Sequence, residues 1–142
     1  VGLQHLAKEN PYDLELSERK LVAIASVLAM NTKVLILDEP TIAQDWEGRT
    51  VIRNIIQSLR KEGKTVLAIL HDMDFVAESF ERVIVMAHGE VLADGTREEV
   101  FAQKEVLEKA RIEQPYLTRL CRMLGYERLY FSLKEGGQEE AI

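Results

Sequence analysis

Apolar residues recur along the chain in two rhythms. Two short apolar stretches, Val34-Leu35-Ile36-Leu37 and Thr65-Val66-Leu67-Ala68-Ile69-Leu70, read as strands buried on both faces, as in a parallel sheet covered by helices. Elsewhere the apolar positions step by three and four, the mark of helices with one inward stripe. Residues 1–10 read as a short helix with Leu3, Leu6 and Ala7 on one face, interrupted by Pro11. Ser17 is the expected N-cap of a helix reaching about residue 30, with Leu21, Ile24, Ala25 and Leu28 inward. A loop over 41–45 leads to a helix over 46–61, with Val51, Ile52, Ile55, Ile56 and Leu59 inward and Gly63 as its stop. Trp46, at the start of that helix, is expected to cover the edge of the core.

A further helix is predicted over 73–80, then strands over 83–87 and 90–93 joined by the two-residue turn His88-Gly89. Thr96 with Glu99 three residues on forms a capping-box pattern. Helices over 104–112 and 115–124 follow, with Gly125 just past the second, where Cys121 is expected to join Leu117, Leu120 and Leu124 on an apolar face. The alternation of strands and helices predicts an α/β fold with a mostly parallel sheet, followed by a hairpin and a helical tail.

A chain of 142 residues is of single-domain size and buries roughly two thirds of its unfolded surface. The net charge of −6 and the lack of any dense Lys/Arg cluster argue against a nucleic-acid partner. The single cysteine excludes an internal disulfide and fits a reducing, cytoplasmic setting. No apolar run approaches the roughly 20 residues that span a bilayer, and no signal peptide is visible, so any membrane association is expected to run through a partner.

The chemistry concentrates where the first strand ends. Val34-Leu35-Ile36-Leu37 stops abruptly in Asp38-Glu39-Pro40, since proline cannot continue a ladder. Open α/β sheets bind ligands at the carboxyl ends of their strands. There Asp38 is placed to hold a divalent cation, directly or through water, and Glu39 to polarise a water molecule. Thr41-Ile42-Ala43-Gln44-Asp45 follows at once, and His71 ends the next strand. Upstream, Leu16-Ser17 opens the helix that contains Val22-Ala23-Ile24-Ala25.

Taken in order, these segments resemble the C-terminal half of an ATP-binding-cassette (ABC) ATPase, with Asp38-Glu39 as its Walker B acids. The resemblance covers residues 1–125 and leaves 126–142 as a polar tail. Asn10-Pro11-Tyr12-Asp13-Leu14, Glu18-Arg19-Lys20 and Asp45 are most similar to the energy-coupling-factor branch, importers of cobalt or vitamins. The resemblance implies a partial P-loop NTPase fold and a cytoplasmic ATPase subunit on the inner face of the cell membrane. It implies ATP and Mg²⁺ as ligands in a complete domain. Asp38 would hold Mg²⁺ through its water shell, Glu39 would be the general base, and His71 would contact the γ-phosphate and orient the water. Asp45 would reach across a dimer interface, and Ser17 would meet the nucleotide of the opposite subunit. The implied partners are an N-terminal lobe, a second ATPase subunit and a transmembrane coupling protein.

Each residue also has a plainer reading. Asp38 and Glu39 could be loop acids, His71 a structural histidine, and Ser17 only an N-cap. Two departures from the family pattern matter more. The phosphate loop G-x-x-x-x-G-K-[ST] occurs nowhere, so the triphosphate lacks its cradle of N–H groups and its lysine. The chain alone is therefore expected neither to bind ATP usefully nor to hydrolyse it, as a truncation or one half of a split protein. The second departure is in the signature segment. Against L-S-G-G-[QE], the chain reads Leu16-Ser17-Glu18, without the two glycines that let backbone approach a phosphate. Glu18 instead falls in the first helical turn, where its charge suits the helix dipole and repels phosphate. Two alternatives remain, a non-catalytic interaction or regulatory domain of the same fold, and the C-terminal lobe of a split DNA-maintenance ATPase. Exposed apolar surface on a partial domain is expected to make the chain self-associate.

Overall fold

The computed structural model of the chain describes residues 1–126, so the expected tail lies, from residue 127 on, outside the described residues. The chain divides into two compact units, Val1–Leu70 and the residues from His71 on. Among the described residues no helix is long and apolar enough to cross a membrane.

The first unit begins with two 3-10 turns, Gln4–Leu6 and Pro11–Asp13, rather than the expected helix over its first ten residues. A helix that short is marginal without a packed face, and Asn10 diverts the chain by accepting the Tyr12 N–H at 3.0 Å. Then come α1 (Leu16–Ala29), β1 (Val34–Asp38), α2 (Trp46–Lys61) and β2 (Thr65–Ile69). Asn31 leaves α1 at φ +50, and Gly63 leaves α2 at φ +76. The N–H groups of Gly63 and Lys64 close α2 on the carbonyls of Arg60 and Leu59 at 2.9 and 3.0 Å.

β1 and β2 are parallel neighbours, in register from Val34 opposite Thr65 to Asp38 opposite Ile69. Leu21, Ile24, Leu35, Leu37, Ile52, Ile56 and Leu59 form the core of this unit, with Ile52 and Ile56 at 1% and 0% exposure. The expectation of strands buried on both faces fails here. Leu35 and Leu37 are buried, but Val34, Ile36, Leu67 and Ile69 are 50–65% exposed. Side chains alternate across a strand, so one face of the pair meets the core and the other is an open apolar face with Asp38 at its end. Trp46 also departs from expectation. It is 71% exposed and lies under the guanidinium of Arg53, two turns further along the same face of α2, 6.0 Å from the ring centroid.

The second unit contains α3 (Met73–Ser79), β3 (Arg82–Ala87), β4 (Glu90–Thr96), α4 (Arg97–Ala102), α5 (Lys104–Ala110) and α6 (Tyr116–Met123). β3 and β4 form the predicted antiparallel hairpin. His88 and Gly89 turn it at φ +54 and +80, the two left-handed residues that a type I′ turn requires. Thr96 caps α4, and Glu99 accepts the Thr96 N–H at 2.9 Å, as the capping-box pattern predicts. Phe75, Ala77, Val100, Phe101, Leu107, Pro115 and Thr118 are the most deeply buried side chains of this unit. Cys121 is buried as expected, but its companions differ. Pro115, Thr118 and Cys121, three residues apart, form the inner ridge of α6, while Leu120 and Leu124 point outward at 37% and 66% exposure.

Candidate active site

The acids stand where β1 ends in the first unit. Asp38 is the last residue of the strand, and its carboxylate is exposed. Glu39 is half-buried, and its N–H donates to the Ile69 carbonyl at 3.0 Å, carrying the parallel ladder one bond past the strand. Its φ is +45, a left-handed conformation that L-residues other than Asn and Asp seldom adopt. Pro40 and Thr41 are buried behind it. The turn is drawn tight by Ile42 N–H to Glu39 O at 3.4 Å and Gln44 N–H to Thr41 O at 3.1 Å, with Ala43 also left-handed at φ +62. Strained backbone of this kind persists only where its surroundings over-determine it, and it clusters at functional sites.

Asp45 is the N-cap of α2, its Oδ1 accepting the Gly48 N–H at 2.8 Å. Its carboxylate thus holds the loop's exit against the first turn of α2. Ser17 is not the N-cap of α1. That position belongs to Glu15, one residue before the helix, and Ser17 is the second helical residue. The Glu18 carboxylate accepts the Glu15 N–H at 3.0 Å. The helix end that would meet a phosphate is therefore already served by a carboxylate of its own, as the sequence leads one to expect once the glycines are gone.

His71 is exposed and opens the second unit, two residues past the end of β2. Because β2 runs parallel beside β1 with Ile69 opposite Asp38, the chain leaves both strands at the same end of the pair.

Two residues of this site are not visible as site residues in the sequence. Lys20, on α1, donates from Nζ to the Glu39 carbonyl at 3.2 Å. Gln44, in the loop, donates from Nε2 to the Ser17 carbonyl at 3.1 Å. Neither contact follows from hydrophobic period or motif spacing, because each depends on how α1 lies against the turn.

Among the described residues no group of three or more His, Cys, Asp or Glu side chains forms a metal cage. One exposed carboxylate at a strand tip nevertheless suits Mg²⁺, which keeps several waters and is held by one or two carboxylates plus substrate phosphates. Asp38 meets that requirement.

No protein-family model matches the chain. Individual proteins do. The energy-coupling factor transporter ATP-binding protein EcfA2 of Clostridium perfringens is 46% identical over 127 residues, 87% of this chain and 45% of that protein. The protein of the same name from Methanospirillum hungatei is 41% identical over 124 residues, 87% of this chain and 31% of that protein. Among solved structures, cbiO1 from Clostridium perfringens, described as part of the ABC transporter complex cbiONQ, matches with a TM-score of 0.63 and 37% identity, over 85% of this chain and 47% of its own. This chain thus spans about half the length, or less, of the curated relatives it matches.

Proposed function

The chain is a homologue of the ATP-binding proteins of ABC transporters, and on that premise we propose that it forms the C-terminal portion of the ATPase domain of a membrane importer of the energy-coupling-factor type. The observation that carries this reading is the parallel pairing of β1 with β2, in register to Asp38 opposite Ile69. It supports the reading by setting the acids at the carboxyl end of a parallel strand pair, the end at which α/β sheets act on ligands.

In this reading Asp38 would hold Mg²⁺, which when bound would supply charge neutralisation on the phosphates of ATP. Glu39 accepts a proton from the attacking water as its oxygen bonds the γ-phosphorus and the bond to the β-phosphate oxygen breaks, releasing ADP. His71 orients that water and contacts the γ-phosphate. Asp45 and Ser17 face the opposite subunit of a dimer. Phosphoryl transfer rests mainly on positioning and charge, so elements from separate polypeptides can share the work. The phosphate cradle comes from an N-terminal lobe outside this sequence. A second ATPase subunit and a transmembrane coupling protein complete the assembly at the cytoplasmic face of the membrane.

The test combines the chain with an N-terminal lobe bearing the phosphate loop and follows phosphate release. Hydrolysis is expected only when both parts are present, and Glu39→Gln is expected to reduce it by about 10² or more while nucleotide binding persists. Micromolar binding of Mg-ATP by the chain alone overturns the dependence on the lobe. The self-capped start of α1, with Glu18 on the Glu15 N–H, favours one second reading, a non-catalytic interaction domain of the same fold. That reading expects no phosphate release with any lobe.

A further inference from the structure

Two hydrogen bonds cross between α1 and the turn after β1, and they run in opposite directions. Lys20 reaches from the helix to the Glu39 carbonyl at 3.2 Å, and Gln44 reaches from the loop to the Ser17 carbonyl at 3.1 Å. Both are partly shielded from water, where a hydrogen bond is stronger and its loss more damaging. Ser17 and Lys20 lie one helical turn apart on α1. Glu39 and Gln44 bracket the turn that contains the two left-handed residues, Glu39 and Ala43.

We propose that Lys20 and Gln44 are positioning residues that clamp the Glu39 turn to the start of α1, so that the set of the Glu39 carboxylate depends on how α1 lies. The role rests on the functional reading above, because it matters to chemistry only if Glu39 is the base. The physical need is clear from the backbone. A glutamate at φ +45 relaxes toward the ordinary right-handed or extended regions unless its peptide is tied. The Ile69 carbonyl ties its N–H side at 3.0 Å, and Lys20 ties its carbonyl side. The ammonium also brings positive charge beside a turn carrying two acids.

Gly48 supports the assignment independently. It is buried in the first turn of α2, where glycine is a poor helix former and no positive φ calls for it. A Cβ built there would overlap Gln44 Oε1. The glycine makes room for the Gln44 side chain in the place from which Nε2 reaches Ser17. Gly48→Ala therefore becomes a sharp probe. It improves helix propensity and disturbs chiefly the far end of the flexible Gln44 side chain, while the N-capping Asp45 Oδ1, 3.3 Å from the new Cβ, has to give only slightly, so the fold survives while the clamp loosens.

The experiment has two arms. In the 142-residue chain alone, the amide resonances of Glu39 and of Ile42, whose N–H shares the Glu39 carbonyl, are followed in Lys20→Met, Gly48→Ala and the double variant. Both single variants are expected to move the Glu39 resonance, and the double variant to move it by less than their sum. A Glu39 resonance unmoved by Gly48→Ala, or strictly additive displacements, overturns the clamp. In the chain combined with its N-terminal lobe, Lys20→Met and Gly48→Ala are expected to lower kcat roughly ten- to a hundredfold with little change in KM for Mg-ATP, and Lys20→Arg to restore most of it. Unchanged kcat in an active assembly overturns the positioning role. If the unmodified assembly releases no phosphate, the ATPase reading fails with it, and the resonances alone decide whether the clamp exists as a structural latch.

Discussion

Glu39 and Ala43 occupy the left-handed region within five residues of each other, and neither is glycine or asparagine. At Glu39 the strain has a use in the proposed function, which needs a carboxylate at that turn, and glycine cannot supply one. At Ala43 the exposed side chain offers no such return. Ala43→Gly is therefore expected to stabilise the chain by up to about 1 kcal/mol, read as a higher denaturant midpoint at unchanged slope. An unchanged or lower midpoint means that Ala43 is strained for a contact of its own. At this scale the sequence shows which acids stand after the strand, because residue type and strand end are both legible in it. It does not show their backbone angles. Those follow from hydrogen bonds to Ile69 and Lys20, residues 30 positions downstream and 19 upstream, which no local pattern encodes.

At the level of elements the two strand pairs contrast. β3 and β4 carry their own turn, and the exposed Arg82–Asp94 pair binds across them through two bonds, at 2.9 and 2.8 Å. The Arg82 guanidinium, by donating to it, holds the Asp94 carboxyl below the usual range, and the Thr96 N–H and hydroxyl do the same to Glu99 at the start of α4. A carboxyl lowered in the folded state stabilises in full above its unfolded value, and that contribution is lost as pH falls through the folded one. The unfolding midpoint of the chain is therefore expected to drop below about pH 4, modestly because both groups are exposed and screened. Asp94→Asn should flatten part of that drop, and added salt should shrink it further. A midpoint unchanged down to pH 2.5 or so counts against both pairings.

β1 and β2 lack such self-sufficiency. Their apolar runs carry no alternation, so they read as strands covered on both sides, whereas one face of the pair is open. Ile36 and Leu67 stand 65% and 50% exposed on the open face. Replacing both with threonine, a good strand former, is expected to leave the unfolding free energy within about 1 kcal/mol while lowering self-association in light scattering. Helix faces were more legible than strand faces for a physical reason. The stripe of α2 names its inner side through period alone, whereas a continuous apolar run cannot say which side its neighbours occupy. The short α6 shows the same ambiguity, since Leu120 and Leu124 share one ridge and Cys121 lies on the next.

For the whole molecule the open face, the missing cradle and the half-length match to relatives make one argument. A parallel pair is stable when both faces are covered, and this chain brings apolar side chains for a face that, in the functional reading, an N-terminal lobe covers. Self-association and complementation then compete for the same surface. The unmodified chain is expected to be a dimer or larger by light scattering and to become a one-to-one complex when that lobe is added. Ile36→Thr with Leu67→Thr separates the two properties from folding, because the exposed positions add little to the core of the chain alone. That variant should stay folded, turn monomeric, and lose affinity for the lobe by about tenfold or more, the loss expected when two apolar side chains of an interface core become polar. Phosphate release by the mixture should fall with binding and recover at higher lobe concentration, since the variant leaves Asp38, Glu39 and His71 in place. If the variant binds the lobe as tightly as the unmodified chain, the open face is not where the two halves meet, and the exposed side chains of β1 and β2 serve some other contact.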